Sequence, residues 1–351
     1  MSEFRQDPIT GRWTIVAENR SARPNEYTAS PPAPPPGDCP FCEGHESWTP
    51  PELAAYRRPN GRRDGPGWTV RTIPNKFPTL ASAGAATPQV PPGPRTNGRK
   101  PGFGFHEVII ETPEHAPILP FLPRGRVREV VRMMRERVRF LSSTPGVASV
   151  VLFENAGPES GGTLVHPHAQ LIGLPEVPPA LAEEADGAAR FVRSFGGPCA
   201  FESVLAEERA EAVRVIWDEA ELTAYAPFAS EHPFEVRILP RRHAASLGEA
   251  SDAELDELAT VLPTVLAALQ AVVPGASYNF VARSFAIGRP EAAGYHWQID
   301  ILPRLIRPDG FEVGGGISVN PVSPETAAAR LRAAIGRNAP SDPSPGRGQQ
   351  T

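Results

Sequence analysis

Two short runs in this 351-residue chain carry side chains able to do chemistry. The first is His166-Pro167-His168-Ala169-Gln170, which follows a loop containing Gly157, Gly161 and Gly162. On an extended backbone, residues two apart share a face, so His166, His168 and Gln170 point the same way. Glycines let backbone N–H groups approach an anion with no Cβ in between. A neutral imidazole beside such a loop can attack phosphorus and form a covalent intermediate. Gln170 can donate to a phosphate oxygen as charge grows there. Two histidines on a strand can also be purely structural, but the loop and triplet together favour an anion site.

The second run is Cys39-Pro40-Phe41-Cys42. The chain has three cysteines, at 39, 42 and 199, too few for a disulfide framework. A close Cys-x-x-Cys pair without an apolar leader reads as half of a metal site. Zinc takes four N or S ligands in structural sites, so two more must come from elsewhere. Two thiolates balance a divalent charge, which lets such a site be buried.

The segment Phe153-Glu154-Asn155, Gly161, Thr163 and His166 to Gln170 resembles the active-site stretch of the galactose-1-phosphate uridylyltransferase family, a branch of the histidine-triad superfamily. The resemblance covers about residues 5–320. It implies that His168 is a transiently nucleotidylated nucleophile assisted by Gln170. It implies a zinc site of Cys39, Cys42, His115 and His166, in preference to the nearby His45. Arg20 and Arg23, in an Arg-x-x-Arg-Pro segment, would lie near the phosphates. Asn75, Phe77 and Asn155 would position the nucleoside, and Gly161 and Thr163 the phosphate oxygens. Phe311 and Val313 would reach the hexose, which in the family often happens across a dimer interface. The family's later Tyr-Glu pair appears here as glycines around Gly315 and Gly316, a departure at the acceptor end. The implied fold is α+β: two tandem histidine-triad-like domains, each an antiparallel half-barrel sheet with packed helices.

The elements that must position these residues are partly legible. Strands are expected within residues 4–16, around Trp13, Ile15 and Val16, at Glu107 to Glu111 and at Tyr295 to Arg304. Val127, Val130, Val131, Met134, Val138 and Leu141 form a helical stripe over 126–141. The C-terminal half repeats the N-terminal half at an offset of 128 residues. His115 then meets His243, His168-x-Gln170 meets His296-x-Gln298, and Val127, Val130, Met134, Val138 and Leu141 meet Leu255, Leu258, Leu262, Leu266 and Leu269, with no gap. Two copies of one unit follow. Only the first copy has the full glycine loop, so the nucleophile is expected there. Cys199-Ala-Phe-Glu202 parallels Cys39-Pro-Phe-Cys42. Cys199, Glu202, His243 and His296 are therefore a candidate second set for zinc or iron.

The expected domains are residues 1–178 and 190–336, bridged by a Pro-, Ala- and Glu-rich stretch over 176–190. A closing helix is expected over 324–335 and a disordered tail over 337–351. Residues 29–37 read as a stiff proline loop, and 81–101 as an excursion. A hydrophobic fraction of 40% and a charged fraction of 21% describe a globular chain. The net charge of −5 argues against a nucleic-acid partner. The lack of an apolar N-terminal segment argues against a membrane and for a cytoplasmic location.

The expected activity is exchange of UMP between UDP-glucose and galactose 1-phosphate through a nucleotidyl-histidine, by a protein expected to be a homodimer. His168 must be neutral to attack, so rate should fall on the acid side. One alternative keeps the histidine and transfers AMP, as an ADP-sugar or dinucleotide phosphorylase. Another is a nucleotide-binding zinc protein without turnover, which would have no use for a nucleophile.

Overall fold

The computed structural model describes residues 2–18, 39–80, 82, 102–116, 118–197, 199–286, 288 and 294–338. The chain opens with an antiparallel pair, β1 (Glu3–Gln6) and β2 (Trp13–Val16). The first copy follows: β3 (Ala54–Arg57), β4 (Trp68–Pro74), β5 (Phe105–Ile110), helix α1 (Arg124–Ser142), β6 (Ser149–Ala156) and β7 (His168–Leu174). Two helices, α2 (Pro179–Phe195) and α3 (Ala200–Glu211), lead to the second copy. That copy is β8 (Val215–Asp218), β9 (Leu222–Tyr225), β10 (Val236–Pro240), α4 (Asp252–Val272), β11 (Tyr278–Phe285) and β12 (Ile299–Pro303). A short helix α5 (Gly310–Gly315), β13 (Ser318–Asn320) and α6 (Pro324–Asn338) complete the described chain.

The two copies share one antiparallel sheet, in the order β3-β4-β5-β7-β6-β11-β12-β10-β9-β8. The order reads the same from either end when one copy's strands are replaced by the other's. The seam is β6 against β11, paired from Ser149↔Phe285 to Ala156↔Tyr278. One face of the sheet is covered by α1 and α4, which pack on each other. The stripe residues Val127, Val130, Val131, Met134, Val138 and Leu141 are buried there, with Leu255, Leu258, Leu262, Leu266 and Leu269 opposite. Helix α4 starts on a capping box of Ser251 and Glu254, which satisfies two donors of its first turn. Arg137 of α1 forks onto Glu107 of β5 at 2.8 and 2.7 Å, tying helix to sheet.

Four features differ from the sequence reading. The bridging stretch is itself a helix, α2. Strands β1 and β2 join β13 in a separate small sheet rather than the first copy, and Arg5 pairs with Glu325 of α6 at 2.9 Å. Helix α6 runs on to Asn338, past the start of the expected tail; residues 339–351 lie outside the described ones.

The fourth difference bears on function. The offset of 128 holds from α1 at Arg124 to α4 at Asp252, but the last strand slips. Ala169 and Leu171 of β7 face the core, and their counterparts in β12 are Ile299 and Ile301, an offset of 130. His296 therefore stands where His166 stands, Gln298 where His168 stands, and Asp300 where Gln170 stands. The gapless match of His168 to His296 is corrected accordingly. A slip of two keeps every side chain on its own face, so alternation along the strand cannot reveal it.

Candidate active site and metal cluster

Strand β7 is held on both sides. Ile110 of β5 pairs with His168, and Phe153 of β6 pairs with Gln170. His168 and Gln170 occupy the face away from α1, as the two-residue spacing requires. His168 is 7% exposed, so its ring is almost wholly enclosed. Its Nδ1 donates to the carbonyl oxygen of His166 at 2.7 Å. That bond fixes the tautomer and leaves Nε2 with a free lone pair. Burial lowers the His168 pKa, favouring the neutral ring. Phe41 meets the ring edge-on, with centroids 5.2 Å apart.

Phe41 belongs to the Cys39–Cys42 turn, which brings the second motif against the first. Cys39, Cys42, His115 and His166 converge, with their candidate ligand atoms within 4.8 Å of one another. The Sγ atoms of Cys39 and Cys42 each lie 3.6 Å from Nδ1 of His166, and Cys42 lies 3.6 Å from Nδ1 of His115. Zinc bonds of about 2.3 Å to sulfur and 2.0–2.1 Å to nitrogen, at tetrahedral angles, would separate S and N by roughly 3.6 Å. The spacing fits that ion. Nε2 of His166 donates to the carbonyl oxygen of Thr112 at 2.8 Å, leaving Nδ1 as the ligand atom. Burial lowers the His166 pKa to about 4, keeping it neutral. Burial and the neighbouring Cys39 push the Cys42 thiol up to about 11, so these thiols need a cation to ionise together. His45 stays out of the cluster; its Nδ1 bonds the Cys39 carbonyl at 2.7 Å and its ring stacks on Trp48.

In the second copy, Glu202, His243 and His296 converge in the corresponding place. The His243 and His296 rings meet at 5.3 Å and 82°, against 5.5 Å and 85° for His115 and His166. Nε2 of His296 is buried with no hydrogen-bond partner among the described residues, which suits a metal ligand. Cys199 does not join this set. It precedes the first turn of α3, where its carbonyl oxygen accepts from Ser203, so the helix replaces the Cys39–Cys42 turn.

The glycine loop is held by the other copy. Gly157 has φ +84°, and a Cβ there would sit 2.4 Å from Oγ of Ser277 in the strand lead-in of β11. Ser277 Oγ accepts from the Glu159 N–H at 3.2 Å. Asn279 of β11 donates to Asn155 Oδ1 at 2.6 Å and to the Ser160 carbonyl oxygen at 2.9 Å. Arg304 in turn donates to Asn279 Oδ1 at 2.5 Å, and Arg307 pairs with Glu159 at 2.6 Å. Gly161 takes the left-handed conformation at φ +84°. Thr163 is exposed beside it. Sequence reading missed Ser277 and Asn279, whose only signal was their place across the seam.

The remaining predicted residues are distributed as follows. Asn75 is half-buried, with Nδ2 3.5 Å from Oε1 of Gln170, so it belongs to the His168 face. Phe77 is 83% exposed nearby in sequence. Phe311 and Val313 stand exposed on α5. Arg20 and Arg23 lie outside the described residues. His106, which the sequence reading did not single out, bonds Oε1 of Gln170 at 2.9 Å.

The equivalent face of the second copy is filled by ions. Glu184 of α2 accepts from Arg283 at 2.7 Å and from Gln298 and Tyr295 at 3.2 Å each. Asp300 accepts from Arg237 at 2.7 Å and Arg283 at 2.8 Å. Here glutamine stands where the first copy has His168, and α2 covers that face.

A doubled half-barrel with one enclosed His-Pro-His-x-Gln strand defines a nucleotidyltransferase of the histidine-triad type. Comparisons with known proteins agree. The chain is 30% identical over 335 residues to the ADP-glucose phosphorylase of Arabidopsis thaliana, covering 94% of this chain and 92% of that one. It is 28% identical to the galactose-1-phosphate uridylyltransferase of Thermotoga maritima, covering 95% and 98%. The crystal structure of the Arabidopsis phosphorylase with bound ADP-glucose superposes with a TM-score of 0.79 at 28% identity, covering 95% of this chain and 99% of that one. A uridylyltransferase structure superposes at 0.74 and 28% identity, covering 97% and 100%. Residues 103–177 match the N-terminal domain of a family of unknown function, DUF4931. The chain belongs to the galactose-1-phosphate uridylyltransferase family.

Proposed function

We propose that this nucleotidyltransferase exchanges UMP between UDP-glucose and galactose 1-phosphate by double displacement, with His168 as nucleophile. The observation that carries the reading is the 2.7 Å bond from His168 Nδ1 to the His166 carbonyl oxygen, which aims an unprotonated Nε2 out of a rigid strand. Nε2 attacks the α-phosphorus of UDP-glucose. The bond from that phosphorus to its bridging oxygen breaks, and glucose 1-phosphate leaves. Galactose 1-phosphate then attacks the uridylyl-histidine, the P–N bond breaks, and His168 is returned. Gln170, Thr163 and the N–H groups around Gly161 steady the phosphate oxygens. Asn75, Phe77 and Asn155 hold the nucleoside, Arg20 and Arg23 serve the phosphates, and Phe311 and Val313 border the sugar.

Cys39, Cys42, His115 and His166 would hold zinc, whose part is to fix the β7 strand to the Cys39–Cys42 turn. Glu202, His243 and His296 would hold a second zinc or iron. A cytoplasmic homodimer completes the reading, on family grounds.

A second reading keeps every step and changes the nucleotide: AMP from ADP-glucose, with inorganic phosphate as acceptor. It is favoured by the likeness to the Arabidopsis phosphorylase and by the exposed glycines at 314–316, which leave room for a smaller acceptor. Incubation with α-phosphorus-labelled UDP-glucose or ADP-glucose separates the two. Acid-labile label from UDP-glucose supports the first, and label from ADP-glucose alone supports the second. Label from neither would leave a nucleotide-binding protein without turnover.

A further inference from the structure

Gln170 has two ends, and only its NH2 end can donate to a phosphate oxygen. What decides which end faces the ligand is found on β5. His106 lies on the same sheet face as Gln170 and His168, since Val108 pairs with Gln170 and Ile110 with His168. The ring is 9% exposed. Its Nδ1 lies 3.1 Å from the backbone N–H of Thr79. A backbone N–H can only donate, so Nδ1 must accept. A neutral ring then carries its proton on Nε2, which is 2.9 Å from the Gln170 side chain. The Gln170 atom that meets this N–H must be oxygen.

Asn75 agrees with the assignment. Its Oδ1 accepts from the Phe77 N–H at 2.8 Å, which turns its NH2 toward Gln170 Oε1 at 3.5 Å. The 3.2 Å approach of that NH2 to His106 Nε2 sets donor against donor and is not a bond in this tautomer. Among the described hydrogen bonds, all that involve the Gln170 side chain fall on Oε1. Burial lowers the His106 pKa and so supports the neutral ring. A protonated ring would set its Nδ1–H against the Thr79 N–H.

We propose that His106 is a positioning residue that locks the Gln170 amide with its NH2 toward the phosphoryl group on His168. The chain of donors runs Thr79 N–H to His106, His106 to Gln170 Oε1, and Gln170 NH2 to the transferred phosphate. This inference rests on the transferase reading above.

The test is a coupling measurement on the full-length protein, with whichever labelled donor, UDP-glucose or ADP-glucose, marks the wild type. The rate of labelling in a single turnover is read for His106→Leu, Gln170→Ala and the pair. His106→Leu should slow labelling roughly tenfold, the worth of one oriented hydrogen bond. In the Gln170→Ala background it should add nothing, because the residue acts only through that amide. Multiplying losses would overturn the proposal, as would a His106→Leu rate equal to wild type. If His106→Leu fails to fold, two other variants decide. His106→Asn keeps an acceptor for Thr79 and cannot reach Gln170, so it should be slow. His106→Gln places an amide N–H near Nε2, so it should recover most of the rate. Equal rates for these two would also overturn it. Wild-type protein unlabelled by either donor would remove the transferase reading first, a distinguishable failure.

Discussion

His296 occupies in the second copy the place that His166 holds in the first, not the place of His168. Each lies edge-on to the preceding histidine of its own copy, at 5.3 and 5.5 Å, and the core-facing neighbours Ile299 and Ala169 fix the register. The position equivalent to His168 is Gln298, whose amide is no nucleophile for phosphorus. His168→Gly should therefore abolish labelling outright, by about ten-thousand-fold or more, with no residue from the second copy. Mass analysis of donor-treated variant would check this. A nucleotidyl group retained on any other histidine would contradict it.

The Cys39–Cys42 turn links the candidate metal cluster to His168 through Phe41, whose ring meets those of both His166 and His168 edge-on. Cys42→Ser should lower bound zinc to well under one equivalent and lower Tm, with a stability loss of roughly several kcal/mol. Labelling by the surviving folded protein should slow as well, since the wall against His168 shifts. Metal analysis, melting and single-turnover labelling on one preparation would decide. A variant with unchanged Tm would show the cluster to be dispensable for the fold.

Much of this site was legible because its chemistry sits in short runs. His166, His168 and Gln170 announce a shared face by their spacing, and the stripes of α1 and α4 announce the helices over the core. What sequence could not supply were relations across the seam. Asn279 and Ser277 clamp the glycine loop from a strand 124 residues away from Asn155, and no local pattern marks them. His106 was passed over because a lone histidine on an apolar strand has no signal; its role comes from Thr79 and Gln170 converging on its two nitrogens. The register slip of β12 was invisible because it preserves alternation.

Glu184 shows what the second copy has become. Its carboxylate, carried by α2, binds Arg283, Tyr295 and Gln298 on the face where the first copy would take a nucleotide. Both Glu184 and Arg283 are nearly buried, so removing one charge strands the other. Glu184→Ala should cost about 3 kcal/mol in urea unfolding, toward the low end for such a pair because Asp300 still faces Arg283. Turnover per folded molecule should hold, since this face does no chemistry. A large drop in turnover with stability intact would assign the second copy a part in the reaction.

A pair of carboxyls without full partners gives the protein a pH signature. Glu111 and Glu154 are buried on the helix-covered side of the sheet behind β7, and among the described residues both Glu111 oxygens and Oε2 of Glu154 lack an ordinary hydrogen-bond partner. Burial raises both pKa values, Glu111 well above the carboxylate range and Glu154 to about 7, and the two interact. The folded chain thus keeps protons that the unfolded chain releases near about 4.3. The contribution of Glu154 is fully present below that value and is lost as pH rises through about 7; that of Glu111 is likewise lost as pH rises through its own raised pKa. Glu111→Gln keeps the shape, removes one titration and lets an amide donate to Glu154. Relative to wild type it should gain about 2 kcal/mol at pH 8 and little at pH 4. Urea unfolding of both proteins across that range would check the sign; parallel curves would mean that the pair does not hold its protons in the folded state.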